Sequence, residues 1–296
     1  MAALTADTLG GRTGGPRRTP RRAGLRLGRV VVLVLALLYF VGPMAAALWF
    51  SVRTPDGSLS GRAYAAIPTA VGFGGALLLS LEIAAVTVVL SLALMVPTML
   101  LVHLRHPRAR PWVEVLCLLP LVVPPVVLVV GVGALISWGN TPDVTTVRFA
   151  VTNQLLNSHP PFVLPLLYVV LTLPFTYRSL DAGLRAAPIG TMMEAARNLG
   201  ASWPVAVWRV ALPSLRASVV TAALLCFALA FGEFTVASIL QYQPFTVWLL
   251  QFNNTDGQLS VALSLLSLAL TWVLLLGITV LAGRSPGEKP EHRSRP

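Results

Sequence analysis

The chain has 296 residues, 55% hydrophobic and 11% charged, with a formal net charge of +11. Soluble domains carry about 25% charged residues, so this composition excludes a soluble enzyme or a separate soluble domain of any size. The positive charge does not indicate nucleic acid, because the basic residues lie in short pieces between apolar runs and form no stripe.

Residues 1–28 are rich in Gly, Pro and Arg and are expected to be a disordered basic segment. The first apolar run starts after Arg29 and is too long for the core of a cleavable signal peptide. Uncharged apolar runs of roughly 18 or more residues can cross the ~30 Å hydrocarbon layer as a helix. Six such helices are predicted, at 30–52, 76–103, 113–137, 162–181, 215–240 and 259–282. The connections are 53–68, 105–111, 139–161, a long loop from Arg178 to Arg216, and 241–258, with a polar tail at 284–296. The expected fold class is therefore an all-α integral membrane protein whose six-helix domain spans 29–283.

Of the 22 Arg and Lys residues, 19 fall in the N-terminal segment, the second–third connection, the fourth–fifth connection and the tail. Only Arg53, Arg62 and Arg148 fall on the other side. The positive-inside rule then puts both termini in the cytoplasm of a plasma (inner) membrane. Pro97, Pro120, Pro124, Pro125, Pro165 and Pro174 interrupt the spans. A proline removes a backbone donor and kinks a helix. The run from Leu118 to Pro125 is the densest case, readable as a packing kink or as a bend that shapes a pathway. Cys117 and Cys226 lie in separate apolar runs and are expected to be small buried side chains. No metal-ligand spacing occurs, and no inverted repeat is evident.

Glu82 and Glu233 fall within predicted spans, each roughly 10 Å from the outer face. Two readings stand. They line the outward half of a pathway and favour a cation, or they are protonated or hydrogen-bonded to neighbours such as Ser80 and Thr235. Glu114 is expected near a helix N-terminus at the interface, and His103 and His106 beside a solvated basic turn.

The long loop, 182–214, has the grammar of two short helices. Thr191 and Glu194 have capping-box spacing. Gly200 can supply a left-handed helix end. Ser202 can cap a second helix that tolerates Pro204 in its first turn. Trp203, Val207, Val210 and Ala211 recur at helical spacing, and Pro213 breaks the chain before the fifth span. Such an apolar hairpin is expected to be covered by lipid headgroups or by a partner.

The stretch Glu194-Ala195-Ala196, followed after three residues by Gly200 and then by Leu212-Pro213, resembles the EAA loop of binding-protein-dependent ABC importer permeases. Pro120 to Pro125 resembles the proline-rich third span of that family. Phe227 to Thr235, with Gly232-Glu233-Phe234, resembles the stretch found in its polyamine, iron, thiamine and phosphonate branch. The resemblance runs from about Leu25 to Leu281. It implies the type I importer fold and a coupling helix that docks on a cytoplasmic ATPase subunit, with Glu194, Ala195, Ala196, Leu199, Gly200, Leu212 and Pro213 at the contact. Glu194 would then meet a basic group on the ATPase, or it would cap its own helix. The implied partners are ABC ATPase subunits, a second permease subunit (a heterodimer rather than a homodimer), an extracytoplasmic solute-binding protein and membrane lipid. The candidate pathway residues are Glu82, Glu233, Pro124 and Pro125, and the expected solute is a polyamine or another small cation. The chain has no GxxxxGK[ST] sequence and its sole lysine is Lys289, so it should bind no cofactor, with ATP and Mg on the partner ATPase. An ion-coupled carrier using Glu82 and Glu233, or a non-transporting scaffold, are the alternatives.

Overall fold

A computed structural model describes residues 22–53, 58–139, 145–252 and 257–283. The expectations for residues 1–21 and for the tail at 284–296 lie outside the described residues. The chain divides into two compact units, Met1–Trp49 and Phe50–Pro296.

The first unit holds most of α1 (Arg22–Val52), an apolar helix with Pro43 inside it. The second opens with α2 (Arg62–Ala66) and a short 3-10 turn at Ile67–Thr69. The 32-residue α3 (Phe73–Leu104) follows. Then come α4 (Arg110–Val122), α5 (Pro125–Gly139), α6 (Val147–Asn157) and α7 (Val163–Ala186). The loop contributes α8 (Ile189–Asn198), α9 (Trp203–Ala206) and α10 (Leu212–Ser214). The chain closes with α11 (Arg216–Phe231), α12 (Thr235–Ile239), α13 (Phe245–Phe252) and α14 (Gly257–Gly283). Among the described residues everything regular is helical apart from one isolated antiparallel bridge, Arg53 to Leu59.

Five helical segments are long and apolar enough to cross a membrane, and a sixth follows if the bent pair α4–α5 counts as one span. This is a multi-pass helical membrane protein. The predicted third span does not run straight. It breaks at Val123-Pro124, and the arms are bent by 99°. The cause is local. Pro124 and Pro125 donate no backbone hydrogen bond, and Val123, which precedes a proline, takes extended angles (φ −89°, ψ 118°). The predicted fifth span is interrupted at Gly232-Glu233-Phe234 between α11 and α12 but continues as one span, Arg216–Ile239. The connections 139–161 and 241–258, expected as loops, contain α6 and α13. Phe245, Val247 and Trp248 of α13 are buried, and the Trp248 indole donates to the Val71 carbonyl at 3.1 Å. Burial of those rings folds the segment back onto the bundle.

The centre is built by α3, α7 and α11. Small and hydroxyl side chains let these helices approach closely, as membrane bundles require in the absence of water-driven association. Ser91, Thr172 and Cys226 meet there, with Oγ and Oγ1 3.2 Å apart and the Cys226 sulfur 3.5 Å from each. Cys117 and Cys226 are both buried, and Cys226 sits in this polar node rather than among hydrocarbon alone. A Cβ on Gly183 would lie 1.9 Å from Ser218 Oγ, so α7 and α11 touch at a position that only glycine allows.

The buried side chains form two clusters. One joins the first half of α3 and α7 to α12, α13 and α14 through Ile83, Leu164, Tyr168, Phe231, Phe245 and Leu263. The other joins the far ends of α3 and α7 to the loop through Met95, Leu100, Tyr177, Leu184, Ile189 and Met193.

Candidate functional site

The loop begins later than expected, because α7 runs on to Ala186. Ala187 precedes Pro188 and is extended (φ −104°, ψ 141°). The next helix, α8, then starts at Ile189. The capping box is therefore overturned: Thr191 is the third residue of α8, no side chain caps the helix, and Glu194 is its sixth residue. Burial of Ile189 and Met193 (1% and 4% exposed) starts the helix ahead of Thr191. Each of these side chains contributes roughly 1.5–3 kcal/mol by leaving water or lipid headgroups. Another face carries Glu194 and Ala195, both exposed, and Ala196 is half-buried. Leu199 follows at 90% exposure. Among the described residues no hydrogen bond or ion pair holds Glu194.

The end of α8 meets the expectation for Gly200. Its φ is +88°, a left-handed conformation that glycine adopts without penalty. The Gly200 N–H donates to the Arg197 carbonyl at 2.9 Å and the Ala201 N–H to Ala196 at 3.1 Å, the two bonds of a Schellman end. Ser202 has extended angles but its side chain makes no cap hydrogen bond. From α9 the chain passes through a π turn, Val207–Ala211, into α10. Pro213 has no N–H for the Arg209 carbonyl, and the turn widens before it. Ala206 and Ala211 are buried, Trp203, Val207, Val210 and Leu212 are half-buried, and Pro213 is exposed. The Arg105 guanidinium, from the α3–α4 connection, lies 4.9 Å from the Trp203 ring centroid.

Asp181 was not singled out from the sequence. It is buried in α7 and its oxygens accept from Arg110 (2.5 Å) and Arg185 (2.8 Å), tying the start of α4 to the end of α7. The signal available was its i,i+4 spacing to Arg185. Glu114 lies in the second turn of α4 rather than at its start, His103 is half-buried and His106 is exposed.

The bend between α4 and α5 encloses a cavity of about 340 Å³. Pro120 to Pro125, Tyr168, Thr172, Phe175 and Glu233 line it. Pro124, Pro125 and Glu233 thus line one cavity. The Glu233 carboxylate is engaged, however. It accepts from the backbone N–H of Val236 (2.9 and 3.1 Å) and of Ala237 (3.4 Å), at the N-terminus of α12. These donors, not Thr235, hold it. The Tyr168 hydroxyl is buried with no hydrogen-bond partner among the described residues.

Glu82 lies elsewhere. Its Oε2 is 3.3 Å from His159 Nδ1, and Ser80, the neighbour expected to bond it, accepts instead from the Phe245 N–H at 2.7 Å. Glu82 does not line the Glu233 cavity, so the two carboxylates do not form one site.

Fold and site define a helical permease: a bundle with a bent span, a cavity at the bend and a folded loop whose outer face is bare. Residues 99–284 match the family described as "binding-protein-dependent transport system inner membrane component", and the chain belongs to this family. The members are transport subunits of ABC importers, with ATP hydrolysis on a separate ATPase subunit and a binding protein as a further partner. The chain is 33% identical over 211 residues to the molybdenum transport system permease proteins ModB of Mycobacterium bovis and Mycobacterium tuberculosis, covering 69% of this chain and 77% of each relative. It is 29% identical over 180 residues to a probable molybdenum ABC transporter permease protein of Haloferax volcanii, covering 57% of this chain and 61% of that one. These names do not support the polyamine, iron, thiamine and phosphonate branch inferred from the Gly232-Glu233-Phe234 stretch.

Proposed function

We propose that this permease subunit forms half of the pathway for a small molybdenum oxyanion, handed over by a binding protein. It works with a second permease subunit, and α8 is held by the ATPase. The observation that carries the coupling role is the two-faced α8. Ile189 and Met193 anchor it in the bundle, while Glu194, Ala195 and Leu199 stand bare on the other side. Leu199 at 90% exposure and a Glu194 carboxylate unpaired among the described residues are what an ATPase contact on this face would cover. The charge count supports a cytoplasmic position for this loop and for both termini. ATP and Mg stay with the ATPase, and this chain contributes motion of α8 and of the helices joined to it.

The substrate assignment is supported by the molybdenum relatives. It is also favoured by the state of Glu233. A carboxylate that accepts from the N–H groups at the start of α12 has its charge partly balanced by them, so it offers a cation little, and an oxyanion less repulsion than a free carboxylate would. An ion-coupled carrier needs Glu82 and Glu233 to cooperate, and their separate settings speak against it.

The test is uptake into proteoliposomes that hold the permease, its ATPase and its binding protein. Labelled molybdate is expected to enter, and excess tungstate to compete while putrescine does not. Competition by putrescine with no effect of tungstate would overturn the substrate assignment.

A further inference from the structure

On the α7–α11 face a second cavity of about 450 Å³ lies beyond the one at the bend. Phe175 lines both and separates them. The other wall residues of the second are Arg178, Ser179, Ala182, Ala217, Ser218, Thr221 and Leu225. Arg178 is exposed, eight residues before the end of α7, about 12 Å along its axis. It makes no ion pair and no side-chain hydrogen bond among the described residues. The nearby carboxylate, Asp181, cannot balance it, because both of its oxygens are taken by Arg110 and Arg185. Arg185 lies seven residues on, on the same helical face as Arg178, but its guanidinium is paired with Asp181. The neighbours of Arg178 here are the small or hydroxyl-bearing Ser179, Ala182, Ser218 and Thr221 together with the apolar Phe175 and Leu225.

We propose that Arg178 and this cavity are a subsite for a small tetrahedral oxyanion, on the α8 side of Phe175. The identity of the anion rests on the molybdenum reading above, whereas the existence of the subsite does not. Arg178 attracts the anion by its uncompensated charge and by its fork of N–H donors.

The experiment uses the assembled permease–ATPase complex in nanodiscs, with Thr221→Cys as reporter. The native Cys117 and Cys226 are buried at 5% and 0% exposure and stay silent. The reporter is modified with an anionic sulfonatoethyl and with a cationic trimethylammonium-ethyl methanethiosulfonate. Arg178 is expected to raise the anionic-to-cationic rate ratio by about tenfold over Arg178→Gln, with Arg178→Lys retaining most of the rise. Molybdate is expected to slow the reaction only when Arg178 or Lys is present. Leu225→Cys, one turn away, replaces a reporter that fails to assemble. A ratio indifferent to Arg178→Gln, no reaction at either reporter, or no slowing by any oxyanion would overturn the subsite. Slowing by sulfate or phosphate but not molybdate supports the subsite and rejects the molybdenum reading.

Discussion

Glu194 and Met193 are adjacent in sequence and sit on different faces of α8, about 100° apart around its axis. Met193 is buried at 4% exposure and Glu194 is bare. Because Glu194 caps nothing, Glu194→Ala is expected to leave thermal stability within about 0.5 kcal/mol. The same change is expected to weaken ATPase binding by about tenfold or more, as loss of a charged interface contact does. Met193→Ala is expected to cost about 2–4 kcal/mol of stability through the cavity it leaves. Thermal melts and a detergent-phase binding titration of the two variants separate these effects. Glu194→Ala lowering stability as much as Met193→Ala would contradict an interface role. The residue types at this loop were legible in the sequence, and so was the turn at Gly200. The helix start was not, because burial of Ile189 is a tertiary fact that outweighs the local capping signal of Thr191. Asp181 escaped notice for the same reason. Its partner Arg110 is 71 residues away, and only the packing of α4 on α7 brings them together.

At the scale of elements, the proline run between α4 and α5 decides the shape of the cavity. Its density was visible in the sequence; the 99° angle was not, since a proline states that a donor is missing and not where the next helix will pack. The small α13 was invisible for a related reason. An apolar stretch of eight residues looks like part of a connection until Phe245 and Trp248 are seen buried against α3. Pro124→Ala together with Pro125→Ala restores two donors and is expected to straighten the span. Spin labels at the exposed Trp112 and Leu135 are then expected to move apart by about 10–15 Å, from helix geometry. An unchanged distance would mean that packing, rather than the prolines, holds the bend.

Within residues 50–296 one end of the helical bundle carries the loop and the other carries α12 and the folded-back α13. α3 and α7 reach both buried clusters, so continuous helices join the loop end of the bundle to the cavity end. Such an arrangement suits an energy source outside the chain that pushes on the loop. The fold class and the permease family were legible at this scale because six apolar runs and the spacing Glu194-Ala195-Ala196 to Gly200 survive without any knowledge of packing. The solute was not, because the Gly232-Glu233-Phe234 stretch does not disclose that the Glu233 carboxylate is occupied by the N–H groups of α12. The decisive measurement is labelled molybdate uptake into proteoliposomes of the full complex with ionophores present to dissipate every ion gradient. Uptake that persists with ATP and binding protein, and stops when either is withheld, is the predicted result. Uptake that ignores ATP and collapses with the ionophores would contradict an ATP-driven importer coupled through α8.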